Sequence, residues 1–266
     1  KTLFPYTTLF RSPLGVGDRE GVSSAGVTAA YADESAVVAD GAPTLAQPSV
    51  SVKKAHAFVP FSMEAQDDFA TLGGEIAVMF NDAKARLEAN KFTLGAAASN
   101  TPVGIVTALA AVAGSKVASA TTDTYAVADV YALQQALPAR YRAGATGKWM
   151  MNLSVINLTR QFGTALGHAF LTDLAGGQPP LLLGQDLVEN SEMDGVINAS
   201  ADNYVAIYGD FKAYHIHDRI GLSIELVPFL FDPTTGRPTG ERGWYCRWRN
   251  GANLVDTNAL RVLNVT

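Results

Sequence analysis

Between residues 49 and 88 the chain changes its hydrophobic period. Val50, Val52, Ala55, Ala57 and Val59 recur at nearly every second position, with Lys53, Lys54 and His56 interleaved, which is the spacing of a strand. From Ser62 onward the spacing lengthens to three- and four-residue steps. Phe69, Leu72, Ile76, Met79, Phe80, Ala83 and Leu87 then share one helical face. A helix of about 26 residues reaches roughly 39 Å at 1.5 Å per residue. A compact chain of this length has a radius of gyration of roughly 18 Å, so such a helix runs along the whole body. Ser62 fits an N-cap, followed by Glu64, Asp67 and Asp68; Lys84, Arg86 and Lys91 sit at the far end. Both signs lie where the helix dipole favours them. Gly73 and Gly74 fall inside the pattern and cost roughly 1 kcal/mol each relative to Ala. A bend or a close packing contact is expected there.

Upstream, Ala29-Ala-Tyr-Ala-Asp-Glu34 reads as a strand, and residues 29–61 as an extended β-hairpin. Its tip, residues 40–48, is too long for a tight turn. An isolated two-stranded hairpin is marginal in water, so it needs a surface to lie on, and another copy of the chain can supply one. The interleaved cations have two readings. They form a solvated edge that discourages aggregation, or they make an electrostatic contact with a neighbouring subunit.

The remaining pattern gives a fold class. Residues 13–28 read as an extended arm without helical or strand period. A loop spans 94–104, and a helix is expected from about Thr124 to Leu137, with Tyr131 and Leu137 among its buried residues and Pro138 ending it. Lys148-Trp-Met-Met-Asn152 suits a buried strand, and Ser154 caps a short helix ending at Phe162. Strands are expected at 204–208, 214–216, 222–231, 244–249 and 260–265. One hairpin, then helices, then strands is an α+β order.

Composition narrows the function. Charged residues are 17% of 266, below the roughly 25% typical of soluble domains, so part of the surface is expected to be buried between subunits. The net charge of −5 argues against a dedicated DNA-binding surface, whose footprint is basic. No apolar run approaches the ~20 residues that span a bilayer, and no signal-peptide layout is expected. Cys246 is the only cysteine, which excludes an intrachain disulfide and a cysteine zinc cluster. A soluble protein of a reducing compartment is expected. Residues 2–12 resemble the translation of a short-read sequencing adapter, so residues 1–12 are set apart from the fold.

Catalytic motifs fail on inspection. Ala143-Gly-Ala-Thr-Gly-Lys148 has Arg142 in place of the first glycine of a phosphate loop and Trp149 in place of its Ser/Thr. Gly15, Gly17 and Gly21 have the wrong spacing for a dinucleotide fingerprint. His215 and His217 share one strand face beside Asp218, but zinc takes three or four ligands; a structural or interface role is the simpler reading. Cys246 reads as a packed thiol. No Ser, His and Asp grouping has a recognisable local frame.

The same segments resemble the major capsid proteins of tailed double-stranded DNA phages. Ala30-Tyr31-Ala-Asp-Glu34 and Val59-Pro-Phe-Ser62-Met-Glu-Ala-Gln-Asp67-Asp68 resemble that family's extended loop and spine helix. Leu137-Pro-Ala-Arg-Tyr-Arg142 and Lys148-Trp-Met-Met-Asn152 resemble its central domain. Leu182-Leu-Gly184, Tyr208-Gly-Asp-Phe211, Tyr214-His-Ile216, Asp218-Arg219 and Trp248-Arg-Asn-Gly251 follow in the family's order. The similarity covers residues 29–266.

The resemblance implies a shell-forming fold: an extended loop at 29–61, a peripheral domain with the spine helix at 62–109 and 209–257, and an axial domain at 110–208 and 258–266. It implies a virion protein, assembled in the host cytoplasm into hexamers and pentamers around double-stranded DNA that it touches weakly and without sequence preference. Portal and scaffold proteins would be partners, with no catalytic residue, no metal and no cofactor. Glu34, Lys53, Lys54, His56, Asp67, Asp68, Arg140 and Arg142 are the expected subunit-interface residues. Some relatives weld subunits through a Lys–Asn isopeptide bond assisted by a Glu; residues 244–250 offer no matching Glu, so self-crosslinking is not expected. Two alternatives stand beside this reading: an encapsulin-type nanocompartment shell, and a metal-dependent enzyme built on His215 and His217.

Overall fold

The alternating run becomes a strand, β4 (Lys53–Ser62), and its partner is the chain's own late segment. In this computed structural model, which describes residues 11–13, 22–23, 31, 45–46, 50–69, 71–142, 147–166, 171–172 and 181–266, β4 lies antiparallel to β12 (Glu241–Leu254) from Ser62 opposite Glu241 to Lys53 opposite Asn250. β12 forms a long hairpin with β11 (Tyr214–Val227), and β1 (Arg11–Pro13) adds in parallel to β11. Among the described residues the order is β1-β11-β12-β4, which puts β4 at the edge. Pro60 within it lacks an N–H, which an edge tolerates.

The expected pairing of 29–34 with β4 lies largely outside the described residues. The described partner of β4 is residues 241–250, where the sequence suggested 29–34. Of residues 29–34 only Tyr31 is described; it lies outside any strand and is fully exposed, and the remainder of that expected strand lies outside the described residues. The arm is not without strands either, since β2 (Val22–Ser23) pairs with β3 (Leu45–Ala46) in the expected hairpin tip. In the pairing with β12, Ala55 and Ala57 pack with the cluster formed by Ile76, Phe80, Cys246 and Trp248.

Ser62 caps as expected, its hydroxyl accepting from the Ala65 N–H at 3.2 Å. The long helix, however, is two helices, α1 (Met63–Asp68) and α2 (Leu72–Leu94). Phe69 leaves helical geometry at φ −117°, ψ 89°, and Gly73 and Gly74 give the chain little local reason to continue through the break. α2 still spans about 34 Å at 1.5 Å per residue. Its apolar face is also narrower than expected, because Phe69 and Met79 are exposed by 62% and 63% and Leu87 by 39%. Ile76, Phe80, Glu88 and Phe92 are buried instead. Steps of four overshoot 3.6 residues per turn, so this stripe drifts round the helix. It meets the sheet at one end and α3 (Ile105–Ala110) at the other.

The second sheet has seven strands. β5 (Lys116–Ala118), β13 (Leu260–Val265), β10 (Asn203–Asp210), β6 (Gly147–Met151), β9 (Gln185–Glu189), β8 (Leu181–Leu182) and β7 (Leu171–Thr172) follow in that spatial order. α4 (Val127–Ala136), α5 (Ala139–Arg142) and α6 (Leu153–Leu166) complete the described helices. The buried strand expected at 148–152 is β6, and Trp149 stacks on Tyr208 of β10 at 4.3 Å between ring centroids. Leu137 is fully buried, but Tyr131 is 49% exposed, so α4 turns a different face inward than its sequence suggested. Ser154 is not the cap of α6: Asn152 accepts from the Ser154 N–H at 3.0 Å and fills that place. Gly209 adopts φ +144°, and a Cβ there would collide with the Ala259 carbonyl, so only glycine fits this crossing of β10 and β13.

Candidate functional site

The cationic residues of β4 collect at its first half, and the register decides what they face. Lys54 lies opposite Arg249 and His56 opposite Arg247. Directly opposed like charges such as Lys54 and Arg249 destabilise an antiparallel pair. Partial relief comes from Tyr245, whose ring has the Lys54 ammonium 5.8 Å from its centroid and the His56 ring at 6.2 Å. Glu225 on β11 pairs with Arg247 at 3.0 Å. Lys53, on the opposite face, stands across from Asn250. Three of the expected interface residues, Lys53, Lys54 and His56, therefore share one strand end.

The other expected interface residues do not join them. Arg140 and Arg142 are exposed on α5 beside β10, in the second sheet's territory. Arg140 covers the Tyr141 ring at 4.9 Å, and Tyr141 donates to Asp256 at 2.6 Å. Asp68 is exposed at the end of α1; Glu34 and the Asp67 side chain lie outside the described residues.

Beside the first half of β4 is a half-open cleft of about 230 Å³, enclosed by β4, the C-terminal half of α2 and residues 100–102. Its wall holds a contact that sequence reasoning missed. Asn250 donates to Glu88 at 2.7 Å inside the protein, and Lys84 stands 3.6 Å from the same carboxylate oxygen. The two partners are far apart in sequence; the only local signal was a Glu on the same α2 side as Phe80. Tyr214 closes the region from beneath, its hydroxyl 2.6 Å from the Val103 carbonyl and 3.1 Å from that of Phe92. Burial pushes its pKa well above the ordinary tyrosine value.

Neither chemical candidate gains a site. The Cys246 thiol is fully buried, and desolvation pushes its pKa up, away from the thiolate a nucleophile needs. The His215 and His217 rings are 6.0 Å apart, and among the described residues no group of three His, Cys, Asp or Glu could hold a metal ion. Among the described residues no helix is long and apolar enough to cross a membrane.

The profile described as "Phage capsid family" matches residues 3–265. The chain belongs to the phage capsid family. It is therefore a structural shell protein of a phage-like capsid. The capsid of a native GTA particle superposes with a TM-score of 0.79 at 24% identity, covering 100% of this chain and 91% of that one. Microbacterium phage Oxtober96 gives 0.69 at 15% identity, covering 97% and 90%. Mycobacterium phage Ogopogo gives 0.63 at 17% identity, covering 98% and 91%. At such identities these likenesses establish the α+β capsid fold. No curated protein matches the chain significantly in sequence. For a capsid protein the surfaces that matter are those that meet neighbours, and the basic end of β4 with its cleft is the candidate among the described residues.

Proposed function

We propose that many copies of this chain close into an icosahedral shell of hexamers and pentamers around double-stranded DNA, in a virion assembled in the host cytoplasm. The role is mechanical, with no catalytic step and no cofactor. Portal and scaffold proteins are its further partners, and the DNA is touched weakly. The observation that carries this reading is the family match over residues 3–265. The division into a peripheral part (62–109, 209–257) and an axial part (110–208, 258–266) is supported by the seven-stranded sheet, which lies in the axial ranges but for the end of β10, and by β11 and β12, which lie in the peripheral ones. Burial at about 25 cal/mol per Å² of apolar surface, repeated round a closed shell, adds up even where single contacts are weak.

In this reading residues 29–49 reach from one subunit to the next, and residues 1–12 are dispensable for assembly although Arg11 and Ser12 pair with Ile216 and His217. Deleting residues 35–48 is expected to leave a folded subunit that forms no closed shells, while deleting residues 1–12 leaves shell formation intact. Electron microscopy of both variants checks this. Normal shells from the first deletion would remove the assigned role of the loop.

A further inference from the structure

The four-stranded sheet has two faces of opposite chemistry. On one, Cys246 and Trp248 of β12 pack with Ala55 and Ala57 of β4 against Ile76 and Phe80 of α2. Alternation along the strands sends their neighbours to the other face. There Lys54 lies opposite Arg249 and His56 opposite Arg247, at successive positions of two paired strands. Tyr245 continues the row on β12, and His217 and His215 extend it on β11, across from Gly251 and Asn253. Lys54, His56 and Arg247 are exposed. Two acids share this face: Glu225 takes Arg247 at 3.0 Å, and Glu241 stands at the far end, opposite Ser62. Among the described residues Lys54 and Arg249 have no acidic partner.

Such a patch opposes its own folding. Paired strands lie about 4.8 Å apart and alternate residues about 7 Å along a strand, so Lys54, Arg247 and Arg249 crowd together. Opposed like charges weaken the pairing, and Glu225 relieves only Arg247. The chain as a whole carries −5, so the positive sign is local. A polyanion laid across the face removes the repulsion. Side chains standing perpendicular to a sheet meet a duplex from outside its grooves, which gives phosphate contacts and no reading of bases.

We infer that the sheet face turned away from α2 looks into the lumen of the shell and binds phosphates of double-stranded DNA through Lys54, Arg249 and, in part, Arg247. This rests on the shell reading above and names the residues that meet the DNA. Arg247 contributes less because it is shared with Glu225. Two or three phosphate contacts per subunit are weak and indifferent to sequence. Repeated over many subunits on one long polyanion, they add up. The same contact explains why an acidic protein keeps Lys54 directly across from Arg249.

The test uses the full chain. Kept dilute enough to stay unassembled, it should bind a duplex of about 30 base pairs, read by fluorescence anisotropy, with log K falling against log salt at a slope of about −2 to −3. Duplexes of unrelated sequence should bind alike. Lys54→Gln with Arg249→Gln should weaken binding roughly tenfold or more at low salt and flatten the slope by about 2. This variant should melt at or above the native temperature, because the opposed charges are gone. Lys54→Glu, a change at one exposed side chain, should weaken binding as well. Lys116→Gln with Arg160→Gln removes equal charge from exposed positions elsewhere and should leave binding unchanged. Equal loss in that control, or native binding by both Lys54 variants, overturns the inference. In assembled particles, Lys54→Cys should react with a bulky maleimide only after mild disassembly, while the buried Cys246 stays unreactive. Labelling of intact particles places the face outside and overturns the inference. Protection both before and after disassembly means that an acidic segment of protein covers the face, and overturns it too. In each of these cases the shells themselves leave the shell reading standing. A native chain that forms no shells sinks both.

Discussion

β13 hides every one of its residues from solvent, whereas β4 exposes Lys54, His56, Phe58, Val59, Pro60 and Ser62. The first runs through the middle of a seven-stranded sheet, with β5 and β10 on its two sides and side chains from both faces in the core. Among the described residues the second ends a four-stranded sheet, with α2 packed on one face. The difference is one of division of labour. The seven-stranded region buries its strands on both faces, so its sequence includes continuous apolar runs such as Trp149-Met-Met151. Among its described residues the four-stranded region has an edge strand, a cluster of cations and a half-open cleft.

Removing a side chain from each region separates them most sharply. Trp149 is fully buried and stacked on Tyr208. Trp149→Ala should cost about 3–5 kcal/mol and leave little folded subunit. Met79, on α2, is 63% exposed, and Met79→Ala should change stability by less than ~0.5 kcal/mol. Urea denaturation of the two variants checks the pair. If Met79→Ala proves as damaging as Trp149→Ala, the contrast between a finished and an unfinished region fails.

The same contrast explains what the sequence disclosed. Strands closed within the chain were legible: 148–152, 204–208 and 260–265 appear as β6, β10 and β13 with small boundary shifts. Their residues answer to one environment, so pattern and burial agree. On α2 the agreement broke down, because Phe69, Met79 and Leu87 are apolar yet exposed. A periodicity argument counts an apolar residue as core whether or not the fold covers it. At the candidate site Lys53, Lys54 and His56 were visible as cations in a strand, but what they face depended on register with residues 247–250. Local spacing carries no information about such a pairing. The Glu88–Asn250 bond was hidden for the same reason.

Alkaline titration gives a second measure of how closed the seven-stranded region is. Tyr125 is 7% exposed, its hydroxyl 2.9 Å from Thr159 Oγ1. Desolvation raises its pKa from 10.0 to about 12. With the folded value above the unfolded one, its contribution is fully present below pH ~10 and is lost as pH rises toward 12. In the unfolded chain the phenol ionises first, which draws the equilibrium that way. A shift of that size is worth on the order of 3 kcal/mol. Tyr125→Phe lacks this titration, so between pH 10 and 12 the native chain should lose stability faster than the variant. Parallel curves would mean that water reaches this side chain.

The smallest effect lies at the joint between β4 and α1, and it sharpens the comparison because it is local. Ser62 ends the strand and caps the helix through one hydrogen bond, to the Ala65 N–H, and α1 is tied back to the hairpin by Met63 donating to the Gly240 carbonyl at 3.2 Å. Ser62→Ala should cost about 1 kcal/mol, the usual loss for an N-cap. A finished core would spread that loss over the global unfolding transition. At the margin of an unfinished sheet it should appear as faster amide exchange confined to residues 63–68, with β6 and β13 unchanged. Faster exchange in β13 as well would mean that the edge and the core open together, and that the subunit unfolds as one cooperative body even where it awaits a neighbour.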